Sequence, residues 1–302
     1  MGADLARTAT IGRQGLFSRR RDVSLRRELK SMLESFGYEV DDDQIESIFN
    51  QTNGYAEHLL TYLGAKEVHS FDYSPYEGAT HLYDMNRELP DRFKEQYSAV
   101  LDGGSLEHIF NFPVAIKNCM EMVQIGGHYL AITPANNFLG HGFYQFSPEL
   151  YFTVFSRENG FEVTSLIAFE DRAKSIWYSV KSPLEVGGRV TLSNSVPVFL
   201  LVVAKKVART TIFEMTPQQS DYVSIWHEKS ALSERTYGSV PPPPAERGVL
   251  VRCVKRIVPA TIKKLVRALV RRPKSRVAGF DPCFFQPLDP TLSSHRPMGR
   301  VN

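Results

Sequence analysis

The sequence predicts an α/β fold: a doubly wound sheet, mostly parallel, with an antiparallel edge strand. Three observations predict it. Residues 68–71, 81–83 and 97–101 read as short strands, and each is closed by an acid: Asp72, Asp84 and Asp102. Helical and strand patterns alternate along much of the chain, which favours parallel pairing. Two strands, 161–169 and 196–204, then follow without an intervening helical pattern, as an antiparallel hairpin at one edge requires. In an open parallel sheet the carboxyl ends of the strands share one edge, so the three acids would line one crevice.

Taken in order, residues 1–24 are polar and basic, with Arg19, Arg20 and Arg21 in a row, and are expected to be unstructured. Leu25, Leu29, Met32, Leu33 and Phe36 recur at helical spacing before Gly37. Residues 45–49 are expected to form a strand that enters the polar turn Asn50 to Gly54. A helix over 55–63, with Ala56, Leu59, Leu60 and Leu63 on one face, completes a βαβ unit with the strand before Asp72. After Asp102 a helix is expected over 112–123, stopped by Gly126 and Gly127, then a strand over 128–133. Ser147, Pro148 and Glu149 have the chemistry of a helix start, and that helix is expected to reach about residue 157.

The main domain is thus expected over 25–206, with a linker over 207–244 that ends in four consecutive prolines, Pro241 to Pro244. In the segment 245–279, Ile262, Leu265, Val266 and Leu269 lie at amphipathic spacing among lysines and arginines. Residues 280–302 lack periodicity and are expected to be unstructured.

Composition is that of a packed globular protein, with 42% hydrophobic and 23% charged residues. The net charge of +3 is unevenly spread. Residues 245–280 carry eleven Lys and Arg against Glu246, a local +10, which leaves −7 for the rest. Positive charge therefore gives the core no support as a nucleic-acid surface, whereas the basic segment fits peripheral contact with an anionic membrane. Cys119, Cys253 and Cys283 are widely spaced and form no pair motif, which fits a reduced, cytoplasmic setting. No apolar run is long enough to span a bilayer.

Over roughly residues 40–206 the order of motifs resembles the class I S-adenosylmethionine-dependent methyltransferases. The pieces are Thr52-Asn53-Gly54-Tyr55, Asp72, Asp84, Leu106-Glu107-His108-Ile109, Ile125 to Leu130, and Thr133-Pro134. The resemblance implies a Rossmann-like fold and S-adenosyl-L-methionine as cofactor. It implies cofactor contacts from the turn at Asn53 and Gly54, from Asp72 and Tyr73 at the ribose, from Asp84 and Met85 at the adenine, and from Asp102 and Gly103 near the sulfonium. The family usually has an acid and alternating glycines in its first turn; aligned on Gly54, this chain has Ile48, Asn50, Thr52 and Gly54.

Each site residue also has a structural reading. Asp72 and Asp84 could cap ordinary turns, and Glu107 and His108 could start and pack a helix. The loop 136–146 is rich in amides and aromatics at the ligand edge, so Asn137, Tyr144 and Gln145 are candidate substrate contacts. His141, His108 and Glu107 are the candidate catalytic groups, because an attacking hydroxyl needs a base that titrates near neutrality. Glu107, His108 and His141 would have to meet across two loops to hold a metal, and none is assigned. The expected activity is O-methylation of a small molecule or glycan. The alternative is a non-catalytic binding or scaffold protein on the same fold, and a nucleotide oxidoreductase is disfavoured by the lack of a Gly-x-Gly-x-x-Gly turn between residues 50 and 54.

Overall fold

The computed structural model describes residues 2–16, 23–172, 174–223 and 279–288. Its strands are β1 (Arg7–Ile11), β2 (Glu67–Asp72), β3 (His81–Leu82), β4 (Tyr97–Asp102), β5 (Val123–Asn136), β6 (Phe161–Glu170), β7 (Trp177–Val180), β8 (Val198–Lys206) and β9 (Phe285–Pro287). They form one sheet in the order β3-β2-β1-β4-β5-β8-β6-β7-β9. The first five in that order run parallel, in the 3-2-1-4-5 arrangement of a doubly wound Rossmann-type sheet. The expected fold class is therefore observed. β8 lies between β5 and β6, antiparallel to both, so the principal antiparallel strand is inside the sheet.

Helices α1 (Val23–Ser35), α2 (Asp42–Asn50) and α3 (Glu57–Tyr62) all belong to the connection from β1 to β2, and α4 (Phe112–Met122), α5 (Pro148–Val154) and α6 (Pro183–Val186) follow later. Ala115, Ile116, Cys119 and Met120 of α4 join Tyr129, Tyr151, Phe155 and Phe161 in the main core. Leu29 and Leu33 of α1 pack with Ile45, Ile48 and Phe49 of α2 in a separate small core.

Two sequence expectations fail together at the amino terminus. Residues 7–11 are the middle strand of the five parallel ones, not part of an unstructured arm, and residues 45–49 lie in α2, not in a strand. The helix is explained by a reciprocal cap: Asp41 accepts from the Gln44 backbone N–H at 2.7 Å, and the Gln44 side chain accepts from the Asp41 backbone N–H at 2.9 Å. Ile45, Ile48 and Phe49 then fall on its buried face.

The glycine pair at 126–127 does not stop a helix. The chain passes from α4 into β5 at Val123, and a Cβ on Gly127 would lie 2.7 Å from the Ser98 carbonyl, where the β4–β5 register shifts. α5 also ends at Val154, short of residue 157.

The carboxyl-terminal boundary moves as well. Residues beyond 206 pack on the domain: Ile212 is buried, and the Ser220 backbone N–H and hydroxyl donate to Glu149 at 2.7 and 3.0 Å. Within the tail expected to be unstructured, β9 pairs with β7, Phe285 is buried, and Phe280 stacks on Tyr178 at 4.1 Å. The basic segment lies outside the described residues, apart from Gly279, which bridges to Ser193. No helix among the described residues is long and apolar enough to cross a membrane.

Candidate functional site

The glycine turn at the sheet edge follows β1 and runs Gly12-Arg13-Gln14-Gly15. Gly12 sits at φ +70°, and a Cβ there would meet the Ser105 hydroxyl oxygen at 2.7 Å, so close approach and backbone conformation both call for glycine. Ser105 in turn donates to the Ile11 carbonyl at 2.7 Å, and Gln14 bonds both Ile11 and Ser105 (3.2 Å to the hydroxyl), tying the turn to the loop after β4. Arg13 pairs with Glu57 at 2.6 Å, donates to the Glu77 carbonyl at 2.6 Å and lies over the Tyr55 ring.

Asn53 and Gly54, the expected cofactor turn, lie after α2. They do adopt positive φ, 54° and 84°, but they back the chain just after the Gly12 turn, where the Leu16 N–H donates to the Gly54 carbonyl at 2.7 Å. Neither lines the cleft.

That cleft, about 440 Å³, opens at the carboxyl ends of β1, β2 and β4. Asp72, Tyr73, Asp84 and Met85 line it as the sequence reading expects, together with Gly12, Gly104, Ser105 and His108. One oxygen of Asp72 accepts from the Ser74 N–H at 3.1 Å. Asp84 differs: Asn86 occupies Oδ1 through both its side chain and its backbone and holds the carboxyl below its usual range, while Arg87 approaches the other oxygen at 3.5 Å. Buried Met85 offers the cleft an apolar surface.

Asp102 and Gly103 do not line the cleft. Gly103 backs onto the Gln14 side chain, and Asp102 is buried beneath the loop, accepting from the Ser105 N–H at 2.8 Å. Burial pushes its carboxyl up to about 7, against the lowering effect of that hydrogen bond.

The three candidate catalytic residues do come together. Glu107 is 1% exposed, with Oε1 at 3.4 Å from His141 Nε2 and Oε2 buried without a hydrogen-bond partner. The His108 and His141 rings meet edge to face at 4.9 Å. The loop that carries His141 is clamped to this point by N–H groups of Phe143 and Tyr144, which donate to the Glu107 carbonyl at 2.8 and 3.3 Å.

The expected substrate contacts are otherwise employed. The Asn137 amide donates to the Val196 carbonyl at 2.8 Å and to Asn194, the Tyr144 hydroxyl donates to the Phe110 carbonyl at 2.6 Å, and the Gln145 carbonyl oxygen accepts from the Phe138 N–H at 2.8 Å. These side chains brace the loop. Phe110 and Phe143, each two residues along the chain from a histidine of the cluster, form an exposed aromatic pair, with ring centres 5.7 Å apart. Among residues the sequence reading missed, Gly12 and Gln14 had a signal, since Thr-Ala-Thr-Ile before Gly-x-x-Gly is a strand entering a turn. The aromatic pair had no such signal.

No protein-family profile matches this sequence, and no curated protein matches it. Solved structures similar in fold include a Listeria monocytogenes protein assigned to the S-adenosylmethionine-dependent methyltransferases, 15% identical, covering 69% of this chain and 94% of that one with a TM-score of 0.37. TehB from Haemophilus influenzae is 17% identical, covering 58% and 65% with a TM-score of 0.33. An rRNA methylase from Streptococcus thermophilus is 10% identical, covering 68% and 91% with a TM-score of 0.30. Likeness at this level carries no functional argument.

Proposed function

We propose that the protein is an S-adenosyl-L-methionine-dependent methyltransferase that O-methylates a small molecule or glycan. The observation that carries this reading is the convergence, at one sheet edge, of the Gly12 turn, the Asp72 carboxylate and the Glu107–His108–His141 cluster. The residues present fit the cofactor. The cleft has the volume of a small-ligand site, Gly12 and Gly104 present backbone without side chains, and Asp72 keeps an oxygen for a sugar hydroxyl. Met85 would pack against the base. When bound, S-adenosylmethionine supplies an electrophilic methyl group for in-line displacement.

The remaining work belongs to this chain. His108 reaches the cleft, and the rim formed by Phe110 and Phe143 suits the apolar face of an acceptor and would exclude water from its hydroxyl. A histidine of the cluster takes the acceptor proton as the oxygen attacks, His108 lining the cleft and His141 packed on it, and the buried Glu107 carboxylate 3.4 Å from His141 Nε2 favours the charged imidazolium. Asp102 and Gly103, which do not line the cleft, then serve the architecture of the site, while Asp84 lies along the cleft beside Met85.

Calorimetry with S-adenosylhomocysteine tests the reading. Wild type should bind with 1:1 stoichiometry, and Asp72→Ala should weaken binding about tenfold, as expected for one charge-assisted hydrogen bond. Absence of heat with wild type would favour the scaffold alternative. For the basic segment 245–279 we propose contact with anionic membranes, tested by liposome co-sedimentation of a chain lacking 245–278. Unchanged sedimentation would remove that idea.

A further inference from the structure

We infer that Glu107, His108 and His141 form a binding site for a divalent first-row transition-metal ion at the mouth of the cleft. Their potential ligand atoms all lie within 4.8 Å of one another, although the residues come from two separate loops. Two imidazoles and one carboxylate suit Zn²⁺, Mn²⁺, Fe²⁺ or Co²⁺ and leave coordination positions open.

The second observation is the state of Glu107. Its side chain is 1% exposed, yet Oε2 has no hydrogen-bond partner. A buried carboxylate oxygen left without a donor is strongly unfavourable in the absence of a compensating cation. His141 alone does not provide that compensation, because it approaches Oε1. A metal ion placed between the imidazoles and held by both carboxylate oxygens would.

The geometry needs little adjustment. Ligand atoms about 2.0–2.2 Å from an ion stand roughly 3–3.5 Å from each other. His141 Nε2 and Glu107 Oε1 are already 3.4 Å apart. His108 is exposed, so rotation of its ring can close the remaining gap.

This inference deepens the proposed activity and, for the role of the ion, rests on it. The acceptor would be a compound that offers one or two hydroxyl oxygens to the open positions, such as a vicinal diol. A bound hydroxyl would lose its proton to water at the cleft mouth, and the ion would replace the free imidazole as the means of forming the nucleophile.

The test uses the full chain stripped with chelator and titrated with Co²⁺, followed by its visible absorption, with Zn²⁺ competition to confirm the site. One equivalent should bind. His141→Ala, at a half-exposed position, and the near-isosteric Glu107→Gln should each weaken binding at least about tenfold, while His58→Ala, which removes the imidazole bonded to Ser47, should leave it unchanged. No stoichiometric binding by wild type, or binding that survives both site substitutions, would overturn the inference. S-adenosylhomocysteine calorimetry on the same samples separates the two proposals: its failure counts against the methyltransferase reading, and failure of Co²⁺ binding counts against the metal site alone.

Discussion

Gly12→Ala should weaken S-adenosylhomocysteine binding by roughly 100-fold, about 2.7 kcal/mol, measured by calorimetry. Two effects combine. A non-glycine residue in the left-handed region costs roughly 1–2 kcal/mol. The new methyl would also stand 2.7 Å from the Ser105 hydroxyl oxygen, which is itself bonded to Ile11 and Gln14. The turn must shift, and it shifts at the floor of the cleft. Gly54→Ala is the informative control, because Gly54 has φ +84°, nothing within 4 Å of its missing Cβ, and no place in the cleft. It should bind within about twofold of wild type while melting somewhat lower. Equal losses in the two variants would mean that the turn after β1 has no special role.

The second large effect concerns pH. Asp102 is buried, and its carboxyl is raised from 3.8 to about 7. The folded chain therefore holds this proton more tightly than the unfolded chain. The resulting stability is complete below the unfolded value, declines as pH rises between the two values, and is gone above about 7. A gap of about 3 units corresponds to roughly 4 kcal/mol. Asp102→Asn keeps a carbonyl oxygen for the Ser105 and Leu106 N–H groups and has no proton to lose. The stability difference between variant and wild type, from urea unfolding, should therefore shift in the variant's favour by a few kcal/mol between about pH 5 and about pH 8. Parallel pH curves would show that Asp102 stays ionised throughout.

What the sequence made readable is uneven, for physical reasons. The strands before Asp72 and Asp102 were legible because β-branched and aromatic residues end at acids and turn formers. Their order in the sheet was not, because the strand that lies between them, β1, went unread. β1 was missed although its β-branched residues run into a glycine turn, because Arg7-Thr8-Ala9-Thr10-Ile11 looks soluble. Its two threonines are nevertheless buried, and their β-branched shape, not hydrophobicity, suits them to a central strand. Residues 45–49 misled in the opposite sense: five residues are too few to separate period 2 from period 3.6, and the cap at Asp41 and Gln44 was the deciding signal. At the site, the meeting of Glu107, His108 and His141 could be named as a possibility from residue type. Whether the polar groups of Asn137, Tyr144 and Gln145 faced a ligand or their own loop depended on long-range partners such as Asn194 and Phe110, which no local pattern encodes.

The return of residues 285–287 to the sheet has a practical consequence for dissecting the basic segment. A chain cut at the prolines would lose the nine-stranded sheet's last member, leaving the outer edge of β7 unpaired, with only β6 beside it, and the partners of Phe280 and Phe285 uncovered. Such an edge invites pairing between molecules. Sedimentation of that truncated chain with liposomes could then report self-association as though it were lipid affinity. An internal excision that keeps residues 279–288 separates the two, because it retains β9 and its pairing with β7.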